Sequence, residues 1–257
     1  MKIRLLSDLH AEFYRRYGGF NEPSVLAYQG EDVLVLAGDI GVGCDQVVET
    51  IEKFLDNGAK QIVYVTGNHE YYNQKFTDVE YDLEAAFKNI PEVSWLREGK
   101  TTKIGNVHFI GGTLWTNFRE EKVVEAICKT MISDFRVING FSINLAKHLF
   151  YTDLEGIRKS VRQLGPLEKK VVVTHFLPSD QCIHHKYLQS TNTSLNKYFA
   201  NDLFDMIYAM ENTTWMFGHT HEPAQLRIGT TNLYCNPMGY PGEHQSGKFD
   251  PALVITV

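Results

Sequence analysis

The stretch QIVYVTGNHE, residues 61–70, decides how this chain is read. Its first half is a short apolar run rich in β-branched residues, the pattern of a strand covered on both faces. It then ends in Asn68, His69 and Glu70. A buried strand carries no charged or imidazole group at its tip unless something there satisfies it. The same event recurs along the chain. IRLLSDLH (3–10) ends in Asp8 and His10, and VLVLAGD (33–39) ends in Asp39. VVVTH (171–175) ends in His175, and WMFGHTH (215–221) ends in His219 and His221. Tips of this kind side by side at one sheet edge would build a single pocket of oxygen and imidazole ligands.

Outward from these strands, the first 90 residues alternate. Strands at 2–7, 32–37 and 61–65 are separated by a short helix near 24–28 and an amphipathic helix at 45–57, and a second amphipathic helix follows at 78–89. The 45–57 helix has apolar positions 47, 48, 51, 54 and 55 and stops at Gly58. This β-α-β-α-β-α order favours parallel strands joined by right-handed crossovers. Residues 101–116 read as a hairpin around Gly105-Asn106. A mostly helical insert is expected at about 119–164, broken near Gly140 and again near Thr152-Asp153. A strand at 170–174, an irregular stretch at 176–200 and a helix at 201–210 follow, and the chain is β-rich from 214 onward. No linker or repeat divides residues 1–257, so one α/β domain is expected.

Composition narrows the function. The chain of 257 residues is 43% hydrophobic and 22% charged, with a net charge of −6. That balance argues against a broad nucleic-acid footprint, though not against a nucleotide-sized substrate beside bound cations. The cysteines Cys44, Cys128, Cys182 and Cys235 show no C-x-x-C spacing, so a disulfide framework and a thiolate metal site are not expected. A candidate ligand as early as Asp8 leaves no room for a cleaved leader, and no apolar run is long enough for a membrane span. A soluble cytoplasmic protein is the expectation, with its oligomeric state open.

At the strand tips, Asp8 and His10 can turn toward one ion, and Asp39 has two oxygens able to bridge two. Asn68 offers an amide oxygen, and His175, His219 and His221 offer imidazoles. Mixed nitrogen and oxygen ligation without thiolate suits Mn or Fe, with Zn possible, rather than Mg or Ca.

DLH, GD, GNHE, TH and GHTH in this order and spacing resemble the calcineurin-like metallophosphoesterase superfamily, from Asp8 to the NPMGYPGE segment at 236–243. GGTLWT, THFLPS and NPMGY are similar to a branch of small single-domain bacterial and phage members. The resemblance implies a four-layer α/β-β/α sandwich of two mixed β-sheets flanked by helices. It implies one metal held by Asp8, His10, Asp39 and His221, and a second held by Asp39, Asn68, His175 and His219. It further implies hydrolysis of a phosphate ester by a hydroxide bridging the two ions. His69 then faces the substrate as general acid, with Glu70 a candidate to orient it.

Departures from the pattern bear on substrate. Protein Ser/Thr phosphatases of the superfamily follow GNHE with an Arg-containing stretch; here Tyr71-Tyr72-Asn73 follows. His175 is followed by Phe176 where relatives often have His, and Met238 stands where they often have Arg. A less cationic rim favours a phosphodiester, which carries one charge fewer than a monoester dianion. The alternatives are a phosphomonoesterase, such as a protein phosphatase, or a non-catalytic scaffold. Tyr71 and Tyr72 are candidates to stack on a nucleotide base, and His184, His185 and His244 are candidates for substrate contact. Specificity is expected from loops at 11–23, 71–76, 115–120 and 176–192.

Overall fold

The structure, a computed structural model, describes residues 1–189, 193–242 and 249–257. In chain order the elements are β1 (Lys2–Leu6), α1 (Pro23–Leu26), β2 (Val33–Ala37), α2 (Gly43–Asp56), β3 (Ile62–Val65), α3 (Phe76–Phe87) and β4 (Val93–Trp95). Next come β5 (Lys100–Ile104), β6 (Val107–Gly112), α4 (Lys122–Met131), α5 (Asp134–Val137), α6 (Ile143–Leu164) and β7 (Lys169–Thr174). The remainder is α7 (His185–Leu188), α8 (Asn196–Phe199), α9 (Phe204–Tyr208), β8 (Thr213–Phe217), β9 (Ala224–Ile228), β10 (Thr231–Cys235) and β11 (Val254–Thr256).

Two mixed sheets result. One has the order β11-β1-β2-β3-β4 and the other β5-β6-β7-β8-β10-β9. β1 through β4 pair in parallel, as do β6, β7, β8 and β10, while β11, β5 and β9 run antiparallel at their sheet edges. Strand side chains alternate between two apolar environments. Leu5, Val35, Val63, Phe109, Val173 and Met216 form one core cluster that joins both sheets. Leu6, Leu34, Leu36, Tyr64 and Trp215 join a second cluster with helical residues such as Val47, Ile51, Leu83 and Ile157. That alternation explains the unbroken apolar runs of β1, β2, β3, β7 and β8, which are covered on both faces. The α/β class and the two helix-flanked mixed sheets agree with expectation.

Two local expectations need correction. The break near Thr152-Asp153 is absent, because α6 runs unbroken from its Ser142 N-cap, whose side chain accepts from Leu145 N at 3.2 Å. Asp153 faces inward on this helix and accepts the backbone N–H groups of Glu98 (2.9 Å) and Leu114 (2.8 Å). The second hairpin strand reaches Gly112, as expected, and residues 113–116 beyond it turn inward, with Trp115 fully buried. The helix placed at 201–210 is only Phe204–Tyr208. Among the described residues, no helix is long and apolar enough to cross a membrane.

Candidate metal centre

β1, β2 and β3 are parallel neighbours in one sheet, and β7 and β8 are parallel neighbours in the other. Their carboxyl ends therefore share one edge of the sandwich, the usual place for a site in sheets of this kind. The tips are stitched together within and between the sheets: Asp8 N donates to Gly38 O, and His10 N to Asp39 O. Gly218 N donates to His175 O, and His219 N to both Asp8 oxygens at 3.0 and 3.1 Å. Asp8, His10, Asp39, His219 and His221 all hold φ between 50° and 69°, the left-handed region that non-glycine residues seldom occupy. Leaving the ladder this way turns side chains that would alternate toward a common point. Gly67 is required by the same crowding, since a Cβ there would overlap the Asp39 carboxylate.

The expected ligands converge in two groups, Asp8 with His10 and His221, and Asp39 with His175 and His219, and a further group joins His10 to Glu12 and His69; within each group the ligand atoms lie within 4.8 Å of one another. Asp39 Oδ2 sits between the two, 3.4 Å from His175 Nε2 and 4.0 Å from His10 Nε2. Asn68 Oδ1 is 3.2 Å from His175 Nε2.

The hydrogen bonding tests whether these residues suit a cation. His175 Nδ1 is 2.8 Å from the Ala37 carbonyl, so it carries the proton and leaves a lone pair on Nε2 in the neutral ring. That lone pair faces Asn68 Oδ1, Asp39 Oδ2 and His219 Nδ1 (3.1 Å), a set dominated by acceptors. His10 is arranged alike, with Nδ1 3.1 Å from Glu12 Oε1 and Nε2 3.0 Å from His221 Nε2. His219 Nε2 is buried without a hydrogen-bond partner. Acceptors converging on acceptors, with the His175 and His10 rings braced from behind, is the donor set of a metal site. Burial favours a neutral His175, yet the Asp39 and Asp8 charges push it up to about 9, a measure of how strongly this cluster calls for positive charge. Burial and the charge on His175 hold His219 well below its ordinary value.

His69 is set apart from the ligands. Its backbone N–H donates to Asp39 Oδ1 at 2.9 Å, and its ring stacks on Tyr72 with centroids 4.0 Å apart. Nδ1 lies 2.8 Å from Glu12 Oε1, and Nε2 lies 3.3 Å from the Tyr240 hydroxyl at the cavity. Burial opposes its charge, but Asp39 and Glu12 push the imidazole up to about 9. The orienting carboxylate is therefore Glu12, one oxygen of which takes both His10 and His69. Glu70, the expected partner, points the other way. It accepts from the backbone N–H groups of Gly67 (2.7 Å), Ile40 (2.9 Å) and Asp39 (3.2 Å) and from the Tyr64 hydroxyl (2.9 Å).

The cluster is the floor of a cavity of about 380 Å³. Tyr72 lines it, with its hydroxyl 2.7 Å from Asp134. Tyr71 does not: it is 1% exposed, stacked on Phe76 at 4.2 Å and bonded to Thr66, so the expected substrate contact there is a core contact. His184 and His185 are not among the cavity-lining residues either; their rings pack at 4.1 Å, with His184 Nε2 4.0 Å from Glu222. His244 lies outside the described residues. Residues 115–120 contribute no lining, because Trp115 and Phe118 are fully buried. In their place the helical insert supplies Met131 to Asp134. Asp134, unflagged in the sequence, accepts from Asn68 Nδ2 at 3.3 Å and from the Tyr198 hydroxyl. Glu12 had a weak signal, an acid two residues beyond DLH; Asp134 had none.

With this geometry in hand, family membership is plain. The sequence pattern of the calcineurin-like phosphoesterases matches residues 1–223, and the chain belongs to that family. Membership implies a dinuclear metal centre, and the Asp and His clusters are residues that could hold one. An uncharacterized protein of Acanthamoeba polyphaga mimivirus is 27% identical over 278 residues, covering 99% of this chain and 96% of that one. Among solved structures, the phosphopantetheinyl hydrolase of Mycobacterium tuberculosis superposes with a TM-score of 0.72 at 16% identity, over 96% of this chain and 92% of that one. At that identity the likeness concerns the fold.

Proposed function

We propose that this phosphoesterase hydrolyses phosphodiesters at a dinuclear metal centre. Asp8, His10, Asp39 and His221 would hold one ion, and Asp39, Asn68, His175 and His219 the other. Bound ions supply Lewis acidity toward the phosphate and lower the pKa of water. The donor set, imidazole and oxygen without thiolate, suits Mn or Fe and also admits Zn.

The observation that carries the catalytic reading is His69. Glu12 accepts from its Nδ1 and, together with Asp39, favours the charged ring, in which Nε2 carries the second proton at the cavity floor. A proton held there can be given to the departing alkoxide, and the ring, pinned by Glu12 and stacked on Tyr72, needs no reorganisation to do so. The diester preference is supported by the cavity wall, which among the described residues has no Lys or Arg to meet a second negative charge on a monoester. Free thiols at Cys44, Cys128, Cys182 and Cys235 suit a reducing compartment such as the cytoplasm.

The test is turnover of bis(p-nitrophenyl) phosphate against p-nitrophenyl phosphate by metal-loaded protein. Faster monoester turnover refutes the diester preference and favours a phosphatase. No turnover of either, with no stoichiometric metal, favours a scaffold. His69→Ala should keep its metal while losing activity toward esters with poor leaving groups; Asp39→Ala should lose both.

A further inference from the structure

The metal-ligand cluster accounts for only the floor of the cavity. The wall rising from it is of another chemistry: Met131 and Ile132 at the end of α4, Leu177, Ile183, Tyr187 and Phe199. The polar groups among them, Ser133, Asn196 and Thr220, are neutral, and Asp134 is the acid that faces in beyond the floor. No lysine or arginine is among the described lining residues. Among the described basic side chains on neighbouring loops, Lys186 pairs with Glu222, Lys197 with Glu121 at 2.6 Å, and Arg119 with Asp180 and Asp202.

Phosphate oxygens are met in proteins by Arg, Lys, metal ions or oriented backbone N–H groups. The reacting phosphate has the floor. A second phosphate on the same substrate would find only the neutral groups of Ser133, Asn196 and Thr220 among aliphatic and aromatic carbon, with Asp134 as its charged neighbour and no cation to balance its charge. A cavity of about 380 Å³ is within the usual range for small-molecule sites. We infer that this wall is a subsite for one organic arm of the ester, and that the arm is uncharged and apolar, aliphatic or aromatic, with no second phosphate. The inference rests on the phosphoesterase reading for what reacts, and on the wall alone for what is recognised. It places nucleoside diphosphate derivatives and nucleic-acid strands outside the preferred substrates.

The experiment uses two readouts on the metal-loaded protein. One is kcat/KM for alkyl p-nitrophenyl phosphates from methyl to hexyl, in which the leaving group is constant and only the arm grows. The other is saturable binding of 4-phenylbutan-1-ol, a neutral alcohol, followed by ligand-observed NMR. The subsite predicts a gain of about three- to fourfold in kcat/KM per methylene buried, saturable alcohol binding, and a flattened series in Ile183→Lys. Met131→Lys, at the half-exposed rim, provides a second variant should Ile183→Lys fail to fold. Turnover that does not change along the series, with no alcohol binding, overturns the subsite and leaves the phosphoesterase reading standing. Alcohol binding with no turnover of any ester keeps the subsite and overturns the phosphoesterase reading. Faster turnover of a p-nitrophenyl ester whose arm carries a second phosphate also overturns the subsite.

Discussion

Replacing Glu70 separates a brace from a catalytic acid. Its carboxylate is wholly buried, with Oε2 accepting Gly67 N and Asp39 N, and Oε1 accepting Ile40 N and the Tyr64 hydroxyl. In Glu70→Gln one acceptor becomes an NH₂ donor. The best arrangement keeps the amide oxygen on Gly67 and Asp39 and lets the Tyr64 hydroxyl rotate to accept. Ile40 N–H is then stranded against another donor, at a cost of about 1–3 kcal/mol. In Glu70→Ala three backbone N–H groups lose their acceptor together, so the cost should reach about 3–9 kcal/mol, comparable with the whole stability of a typical domain. Urea denaturation followed by tryptophan fluorescence measures both. The expected order is wild type, then Gln, then Ala, with Ala at the edge of folding. Because the same bonds hold the Asp39 and Asn68 tips, metal affinity in the Gln variant should fall as well. A Glu70→Ala protein within about 0.5 kcal/mol of wild type, the spread of a neutral surface change, would refute the reasoning.

Asp134→Asn should weaken metal binding about 10- to 100-fold at the ion held by Asn68. A carboxylate can only accept, so it forces the amide nitrogen of Asn68 toward itself and the oxygen toward His175; an asparagine enforces neither. Isothermal titration with Mn checks this, and unchanged affinity at both ions would contradict it. Glu12→Ala should slow hydrolysis of alkyl esters about 10- to 100-fold and of p-nitrophenyl esters much less, since it removes the group that aims His69. An equal loss on both leaving groups would point to disturbed metal ligation through His10 instead. Arg4→Met should cost about 3–5 kcal/mol in urea denaturation, because it strands buried Glu31 and the carbonyls of Val25, Ala27 and Pro251 that the guanidinium serves. Pairing it with Glu31→Gln should recover part of that loss.

The strands that carry the centre were legible because each is apolar on both faces and stops at a polar tip, which marks both the element and its end. Family resemblance then supplied the pairing of sheets that local pattern cannot give. What escaped depends on long-range contact. Asp134 reaches Asn68 across 66 residues of chain, from an insert whose inward face is set by packing. Tyr71 and Tyr72 are adjacent and alike, and only the tight turn at His69–Tyr71 decides that one is core and the other lines the cavity. Asp153 resembles a helix breaker, yet its carboxylate serves N–H groups of two distant loops, so α6 continues through it. β4, three residues long, pairs only with β3 and is too short to show a period.

The left-handed backbones of Asp8, His10, Asp39, His219 and His221 also bear on how this protein can change. Such a conformation costs an L-residue about 1–2 kcal/mol, less for aspartate, and glycine nearly nothing. Five of them together approach the net stability of an ordinary domain, about 5–15 kcal/mol. Selection for heat resistance without a demand for activity would therefore turn first to the histidines among them, while Asp8 and Asp39, which accept the buried N–H groups of His219 and His69, would lose with glycine what the backbone gains. The imidazoles at His10, His219 and His221 thus hold the fold below the stability its own backbone would permit.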